Sequence, residues 1–499
     1  MGGLIPKEET GYGQKHRKQR GGIPIHKKFL TSSDVSTDEP EWALPFPSKF
    51  NLGYPSSCPK IKTNSYKKKM IVLTRIALTL VYCFMRPVMA WDQGFIDQEE
   101  YEELRSSVAY LSTYNCDLSP TVCLPENLHS YHPTSCPYIN RRNAQIEEMN
   151  RDEMSDVLCL QGIWYAKDLE AILSKTTSNF PYAYSFLHDG SGYYNASQIF
   201  HPPCNEQDTA ILRTINVCEF KECHFTHERT KIFKCIEDVC GIKNIMQRMS
   251  ETCLGCIFQG TESDNFMQCT KSSHAFNPTG LLILSKYKLL KYGRGLYHSN
   301  DQFDEMGREK SSEIVQRGYL DVEVNHIGRI VCTDLTEKFG DEYVEVADTF
   351  RSYEEKNLYE FEALFRMFRS ARKAIVMGDL NSSPTLSKGN IAPQYSKNLE
   401  ILRDLGFRDP VSDSFKNRIP DCSYCCGNVL VHKPETGVCA KSNPEVGYIF
   451  DHVMVKGFKT VDTQEDYLKN NAVIRIFLVE DQFIAMSRHY GFTVPVIVG

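Results

Sequence analysis

Short apolar runs that stop abruptly on polar residues recur along this chain of 499 residues, from about residue 105 to the C-terminus. Met154 to Leu160, Leu281 to Leu284, Arg329 to Cys332 and Ala374 to Met377 are the clearest. Runs so short and so uniformly apolar suit strands buried on both faces. Between them lies helical patterning: Leu358, Phe361, Leu364, Phe365 and Phe368 form a stripe at three- and four-residue spacing, leading directly into the 374–377 run. Helices alternating with doubly buried strands predict layered α/β sheets, with a site where the strands end in polar residues. A hydrophobic content of 41% is enough for one large core or two smaller ones.

Charge divides the chain. Residues 1–70 carry 13 Lys/Arg against 6 Asp/Glu, a surplus of 7, so with a net charge of -6 the remainder carries -13. An acidic body gives no electrostatic footprint for nucleic acid and argues against it as a partner. Residues 1–66 have neither helical nor strand periodicity and read as a flexible basic tail or an over-extended gene model. Residues 67–90 then combine Lys67-Lys68-Lys69, an uncharged run from Ile76 to Met85, and small residues at Val88 and Ala90. Spanning a bilayer takes about 20 apolar residues, so this run reads as a signal peptide, or as a signal anchor, with Met70 a candidate start.

Cysteine usage points the same way. Cys204, Cys218, Cys223, Cys235, Cys240, Cys253, Cys256 and Cys269 crowd a stretch that interrupts the α/β rhythm over residues 200–270, and Cys422, Cys425, Cys426 and Cys439 form a second group. Clustered, even-numbered cysteines predict disulfides and a secreted or lumenal location, on the extracellular face of a membrane if the anchor is kept. Cys253-x-x-Cys256 and Cys422-x-x-Cys425 also have zinc-ligand spacing, with Cys223, His224 and His227 nearby, so structural zinc is the competing reading. Asn195-Ala196-Ser197 is an N-glycosylation sequon. Of 19 cysteines, Cys58 and Cys83 precede Ala90; the remaining 17 are odd in number, so a free or intermolecular thiol is expected, with Cys159 and Cys332 in buried strands.

Chemistry-bearing residues occur in short strings, each weak alone. Gly378-Asp379-Leu380-Asn381 ends an apolar run and sets a carboxylate and an amide two residues apart on one side of an extended backbone. Asp and Asn there also serve simply to cap a turn. Ser487-Arg488-His489-Tyr490-Gly491 offers a histidine suited to general-base work, or an interior histidine with a structural role. Tyr114-Asn115, Leu160-Gln161-Gly162-Ile163-Trp164, Gly280-Leu281-Leu282-Ile283-Leu284-Ser285, Thr333-Asp334-Leu335, Phe450-Asp451-His452 and Gly406-Phe407-Arg408-Asp409-Pro410 complete the set.

The order of these strings resembles the endonuclease/exonuclease/phosphatase (DNase I-like) superfamily, and within it the neutral sphingomyelinase-like branch. The resemblance covers roughly residues 105–499 apart from the Cys-rich insertion. It implies a four-layered αββα sandwich and Mg2+-dependent phosphodiester hydrolysis. In such a site the Glu of a Leu-Gln-Glu string holds the metal, the Asp and Asn of Gly-Asp-Leu-Asn orient water and phosphate, and the His of Ser-Asp-His takes the water's proton. A Thr-His-Leu histidine hydrogen-bonds a phosphate oxygen. Asn115, Asp379, Asn381, Asp451 and His489 match that pattern. Gly162 stands where the metal-binding Glu belongs, Asp334 where the phosphate-contacting His belongs, and Arg488 where an Asp beside the base belongs.

Gly162 offers no ligand atom, Asp334 repels phosphate, and Arg488 reverses a charge and should hold His489 neutral. Losing one transition-state donor costs about 100- to 1000-fold in rate, so the expected protein is a catalytically impaired relative with a binding or structural role. Its partner would be a phosphate-bearing ligand or phospholipid, or a protein docked on the Cys-rich insertion. The alternative is an active Mg2+-dependent phosphodiesterase, sphingomyelinase-like or, less in keeping with the charge, a secreted nuclease. Asp334 would then replace the missing metal ligand while Arg488 holds the phosphate.

Overall fold

The computed structural model describes residues 107–118, 138–195, 201–223, 235, 238–241, 248–260, 266–271, 275–298, 316–338, 350–386, 390–414, 422–428, 430–431, 439, 445–460, 476–479 and 482–498. The chain divides into Met1–Gly94 and Phe95–Gly499, and every described residue lies in the second unit. The basic tail and the signal-like segment lie outside the described residues, as do His224 and His227.

Strand β1 (Val108–Asn115) precedes helix α1 (Tyr138–Arg151), then β2 (Val157–Gln161), α2 (Ala166–Thr176) and β3 (Tyr182–Ser185). The Cys-rich stretch contributes α3 (Glu206–Cys218), a π-helical turn Glu219–Cys223, and α4 (Glu251–Gly260). Four strands follow, β4 (Leu282–Ser285), β5 (Leu289–Leu296), β6 (Gly318–Val324) and β7 (Gly328–Asp334), then α5 (Tyr353–Phe368) and β8 (Ala374–Asp379). After α6 (Ser396–Asp404) and α7 (Pro410–Ser414) come β9 (Tyr424–Cys425), β10 (Gly447–Tyr448), β11 (Asp451–Lys456), β12 (Lys459–Thr460), β13 (Ile476–Val479), β14 (Gln482–Ala485) and β15 (Phe492–Ile497).

Two large sheets result, ordered β12-β15-β1-β2-β4-β3 and β11-β8-β7-β6-β5. The short apolar runs are their central strands: every residue of β2, β4 and β8 is buried, because both faces are covered. Between the sheets pack Leu111, Val157, Cys159 and Ile283 from the first, against Leu320, Ile330, Ile375 and Val453 from the second. On the outer face of the first sheet Leu158, Leu160 and Leu282 meet Ile146 and Met149 of α1 and Leu169 and Ile172 of α2. On the outer face of the second, Val331, Val376 and Met454 meet Phe361, Leu364 and Phe368 of α5 and Leu399 and Leu402 of α6. Helix, sheet, sheet, helix is the four-layered αββα arrangement expected from the sequence.

Helix α5 starts where Ser352 accepts a hydrogen bond from the Glu355 backbone N–H at 3.1 Å. Its buried face runs through Asn357, Phe361, Leu364 and Phe368; Phe365 falls off that stripe and is 38% exposed, a correction to its expected place in the core. Asn357 is one of three polar residues buried on this helix, with Lys356 and Glu360. Its amide donates to Thr336 O and Leu380 O, both at 3.1 Å, pinning the segments that follow β7 and β8.

All twelve clustered cysteines are paired: Cys204–Cys253, Cys218–Cys240, Cys223–Cys235, Cys256–Cys269, Cys422–Cys425 and Cys426–Cys439. Cys253 and Cys256 take separate partners, so their spacing reflects one turn of α4 rather than zinc ligation. The insertion builds a core of its own, in which Leu212, Ile215, Met249 and Leu254 pack with these disulfides against Trp164, Tyr165 and Phe276. A seventh disulfide, Cys159–Cys332, joins β2 to β7 and so ties one sheet to the other through the central core. Among the described residues Cys116 is the free cysteine, and it is buried.

Candidate functional site

Register builds the site. On the second sheet Asp334 pairs with Asp379 across the parallel β7/β8 ladder, and Asp379 pairs with Asp451 across the antiparallel β8/β11 ladder. Three aspartates therefore lie in a row at one end of three neighbouring strands. On the first sheet Asn115 pairs with Gln161, which puts Gly162 at the matching end of β2.

His489 is brought to this row by the segment between β14 and β15. Its Nδ1 lies 2.9 Å from Asp451 Oδ2 and 3.6 Å from Asp379 Oδ2. Its backbone N–H donates to Ser487 Oγ at 3.0 Å, and that hydroxyl donates to Asn115 O at 2.7 Å. Tyr424 packs edge-on against the ring with centroids 5.0 Å apart. Asn115 Nδ2 donates to Asp379 Oδ2 at 3.0 Å. Asn381 adopts a left-handed φ of 50°, which Asn tolerates better than most residues, and its N–H donates to Asp379 Oδ1 at 3.0 Å. Its amide reaches back to Leu335 O at 2.8 Å and Asp334 Oδ1 at 3.4 Å. The five residues matching the family pattern thus form one connected cluster, and Asp379 and Asn381 do cap a turn while belonging to it.

Electrostatics decide the state of the ring. Burial works against a charged His489, but Asp451 and Asp379 outweigh it and lift its pKa from 6.5 to about 9. At neutral pH His489 is an imidazolium donating to Asp451, and the expectation that Arg488 holds it neutral is overturned. A histidine raised in the folded state contributes stability in full below pH 6.5, lost as pH rises through about 9. Urea titrations should therefore show unfolding free energy falling across that window, and His489→Gln should flatten the fall. An equally steep alkaline limb in the variant would assign it to other groups.

The three departures from the family pattern are closed positions with new partners. Gly162 has φ +74°, and a Cβ built there would lie 2.6 Å from Asp117 N and 2.9 Å from Asn115 Oδ1, so no glutamate fits without moving backbone. Asp334 is buried and held by Arg317 Nη1 at 2.5 Å. Arg488 makes a two-pronged ion pair with Asp117, Nε to Oδ2 at 2.7 Å and Nη2 to Oδ1 at 2.8 Å. Desolvation opposes the Asp117 carboxylate, yet Arg488 holds its pKa below the ordinary value.

Asp117 and Arg317 are residues that sequence reasoning missed. The available signal was the reversed charge at 488, which demands an acid somewhere; Asp117, two residues beyond Asn115, was within reach. Arg141 and Gln145 of α1 were also missed. Fully buried, they clamp the two loops that carry this ion pair: Arg141 donates to Met486 O and Asp117 O, both at 3.0 Å, and Gln145 donates to Cys116 O and Met486 O, both at 2.9 Å. His452, by contrast, is structural. Its ring nitrogens face Asp409 Oδ2 at 3.0 Å and Ser382 O at 2.8 Å, which gives Asp409 of the Gly406–Pro410 string its job. Asn195 of the sequon is exposed.

A divalent cation fits this donor set poorly. Asp379, Asp451 and His489 lie close enough to share an ion, and Asp451 Oδ1 is buried without a hydrogen-bond partner. Magnesium, however, asks for about six oxygen ligands in octahedral array. Asp117 and Asp334 are already taken by arginines, Asp379 is taken up by Asn115 and Asn381, and the remaining seat is closed by the backbone around Gly162.

Among solved structures the chain is similar to beta toxin from Staphylococcus aureus, with 11% identity over 77% of this chain and 99% of that one and a TM-score of 0.38. Sphingomyelinase C from Streptomyces griseocarneus gives 12% identity over 78% and 99%, with a TM-score of 0.37. An endonuclease/exonuclease/phosphatase from Beutenbergia cavernae gives 13% over 79% and 72%, also at 0.37. No family model and no curated protein matches the chain.

Proposed function

We propose that this chain is an exported protein of the endonuclease/exonuclease/phosphatase kind, on the sphingomyelinase-like side, that has given up metal-dependent hydrolysis and holds a phosphate-bearing ligand at the strand ends. The observation that carries this reading is the closure at Gly162, where left-handed backbone and the neighbouring Asp117 N–H leave no room for a ligating side chain. His489, held as a cation beside Asp451, is a donor for a phosphate oxygen rather than an acceptor of water's proton. Seven disulfides among the described residues support export, since such bonds persist in oxidising compartments.

Calorimetric titration of the intact protein with magnesium chloride tests the reading. No saturable binding is expected, together with no release of phosphocholine from sphingomyelin vesicles. The active alternative is favoured by one feature, the uncommitted Asp451 Oδ1 beside Asp379 and His489. Stoichiometric magnesium binding with turnover would establish that alternative and end ours.

A further inference from the structure

The structure assigns Arg488 the role of a resident cation: its guanidinium, clamped on Asp117 beside Gly162, fills the position that a divalent metal would otherwise take. The inference deepens the proposed function and rests on it.

Asp117 is not a casual partner. It is a non-glycine residue at φ 51°, a conformation side-chain-bearing residues seldom adopt. Two contacts hold it there, the Asn115 Oδ1 that accepts from its N–H at 3.0 Å and the Arg141 guanidinium that donates to its carbonyl at 3.0 Å. Its carboxylate is 95% buried, and a buried carboxylate without a counter-ion is costly. Arg488 meets both of its oxygens, while a third of the arginine side chain remains accessible.

The acid and the cation have exchanged strings. Where the family pattern places the acid at the end of β2 and another in the Ser-Asp-His string, this chain delivers an acid from the segment after β1 and a cation from 488. Asn115 links the two halves of the site, accepting from Asp117 N–H through Oδ1 and donating to Asp379 through Nδ2 at 3.0 Å. Freed of Arg488, Asp117 would become an uncompensated carboxylate next to the group formed by Asp379, Asp451 and His489, linked to it through Asn115, and in that group Asp451 Oδ1 is buried without a partner. That set suits a hard cation; the set with Arg488 in place does not.

The test is thermal unfolding of the intact chain against magnesium chloride, comparing the unmodified protein with Arg488→Ala. The unmodified protein should keep one midpoint with magnesium or with EDTA. Arg488→Ala should start lower, because Asp117 loses its counter-ion, and its midpoint should climb with magnesium concentration, as binding to the folded state alone requires. Adding Asp117→Asn to that variant should abolish the climb. If Arg488→Ala does not fold, Arg488→Gln, which retains a donor for Asp117 without the charge, carries the same comparison. Magnesium dependence in the unmodified protein would overturn both this inference and the proposed function. A folded Arg488 variant indifferent to magnesium would overturn the inference alone.

Discussion

Replacing Cys159 and Cys332 together by alanine is expected to lower the unfolding free energy by about 4–5 kcal/mol. The pair spans 173 residues of sequence, and the bonds Cys204–Cys253 and Cys256–Cys269 inside that span shorten the free loop only in part. Closing a loop of this order removes much of the unfolded chain's freedom, whereas Cys422–Cys425, separated by 3, is worth about 2 kcal/mol on the same argument. Both sulfurs lie in the fully buried layer between the sheets, so alanine also leaves a small void there. Equilibrium urea unfolding of the double variant checks the figure. A loss below about 1 kcal/mol would mean that packing alone fixes one sheet on the other.

Gly162→Glu restores the residue the family pattern carries, and it is expected to fail as a restoration. A side chain at φ +74° costs roughly 1–2 kcal/mol before any contact is counted. The Cβ then meets the Asp117 backbone nitrogen at 2.6 Å, so backbone must move, and the new carboxylate arrives beside Asp117. A total loss of about 3–4 kcal/mol follows, without magnesium binding. Gly162→Ala separates the causes, because it carries the strain without the charge and should account for most of the loss. A Gly162→Glu protein as stable as the original and binding magnesium would show that the loop at Asp117 yields readily, and the closed seat would lose its force.

The sheets were legible because their central strands are covered on both faces, so that nearly every residue of β2, β4 and β8 had to be apolar until the strand ended. Phe365 escaped because a stripe of aromatic residues on α5 is wider than the face that packs. Register was not legible. Nothing in three separate strings says that Asp334, Asp379 and Asp451 become cross-strand neighbours, since that depends on pairing between segments far apart in the chain. The string order found Asn115, Asp379, Asn381, Asp451 and His489, but the partners of the altered positions lie outside the strings. Arg317 immediately precedes β6, and Asp117 follows a cysteine in a loop. The cysteine clusters announced disulfides, while their connectivity, with Cys253 and Cys256 of one helix turned to different partners, came only from the fold.

The unpaired Cys116 sits within a chain held by many disulfides, and its burial governs whether they survive. Burial, reinforced by the neighbouring Asp117 charge, pushes its thiol pKa well up, so almost no thiolate forms in the native state. Thiolate is the species that attacks a disulfide. While the sandwich is intact the spare sulfur is chemically silent. Once the chain opens, that sulfur gains an ordinary acidity and access to every bond nearby, and the pairings begin to shuffle. Unfolding at neutral pH therefore acts as a ratchet: a molecule that opens even once can leave with its cross-links rewritten, and the lifetime of the protein is set by its rate of opening rather than by the depth of its folded well.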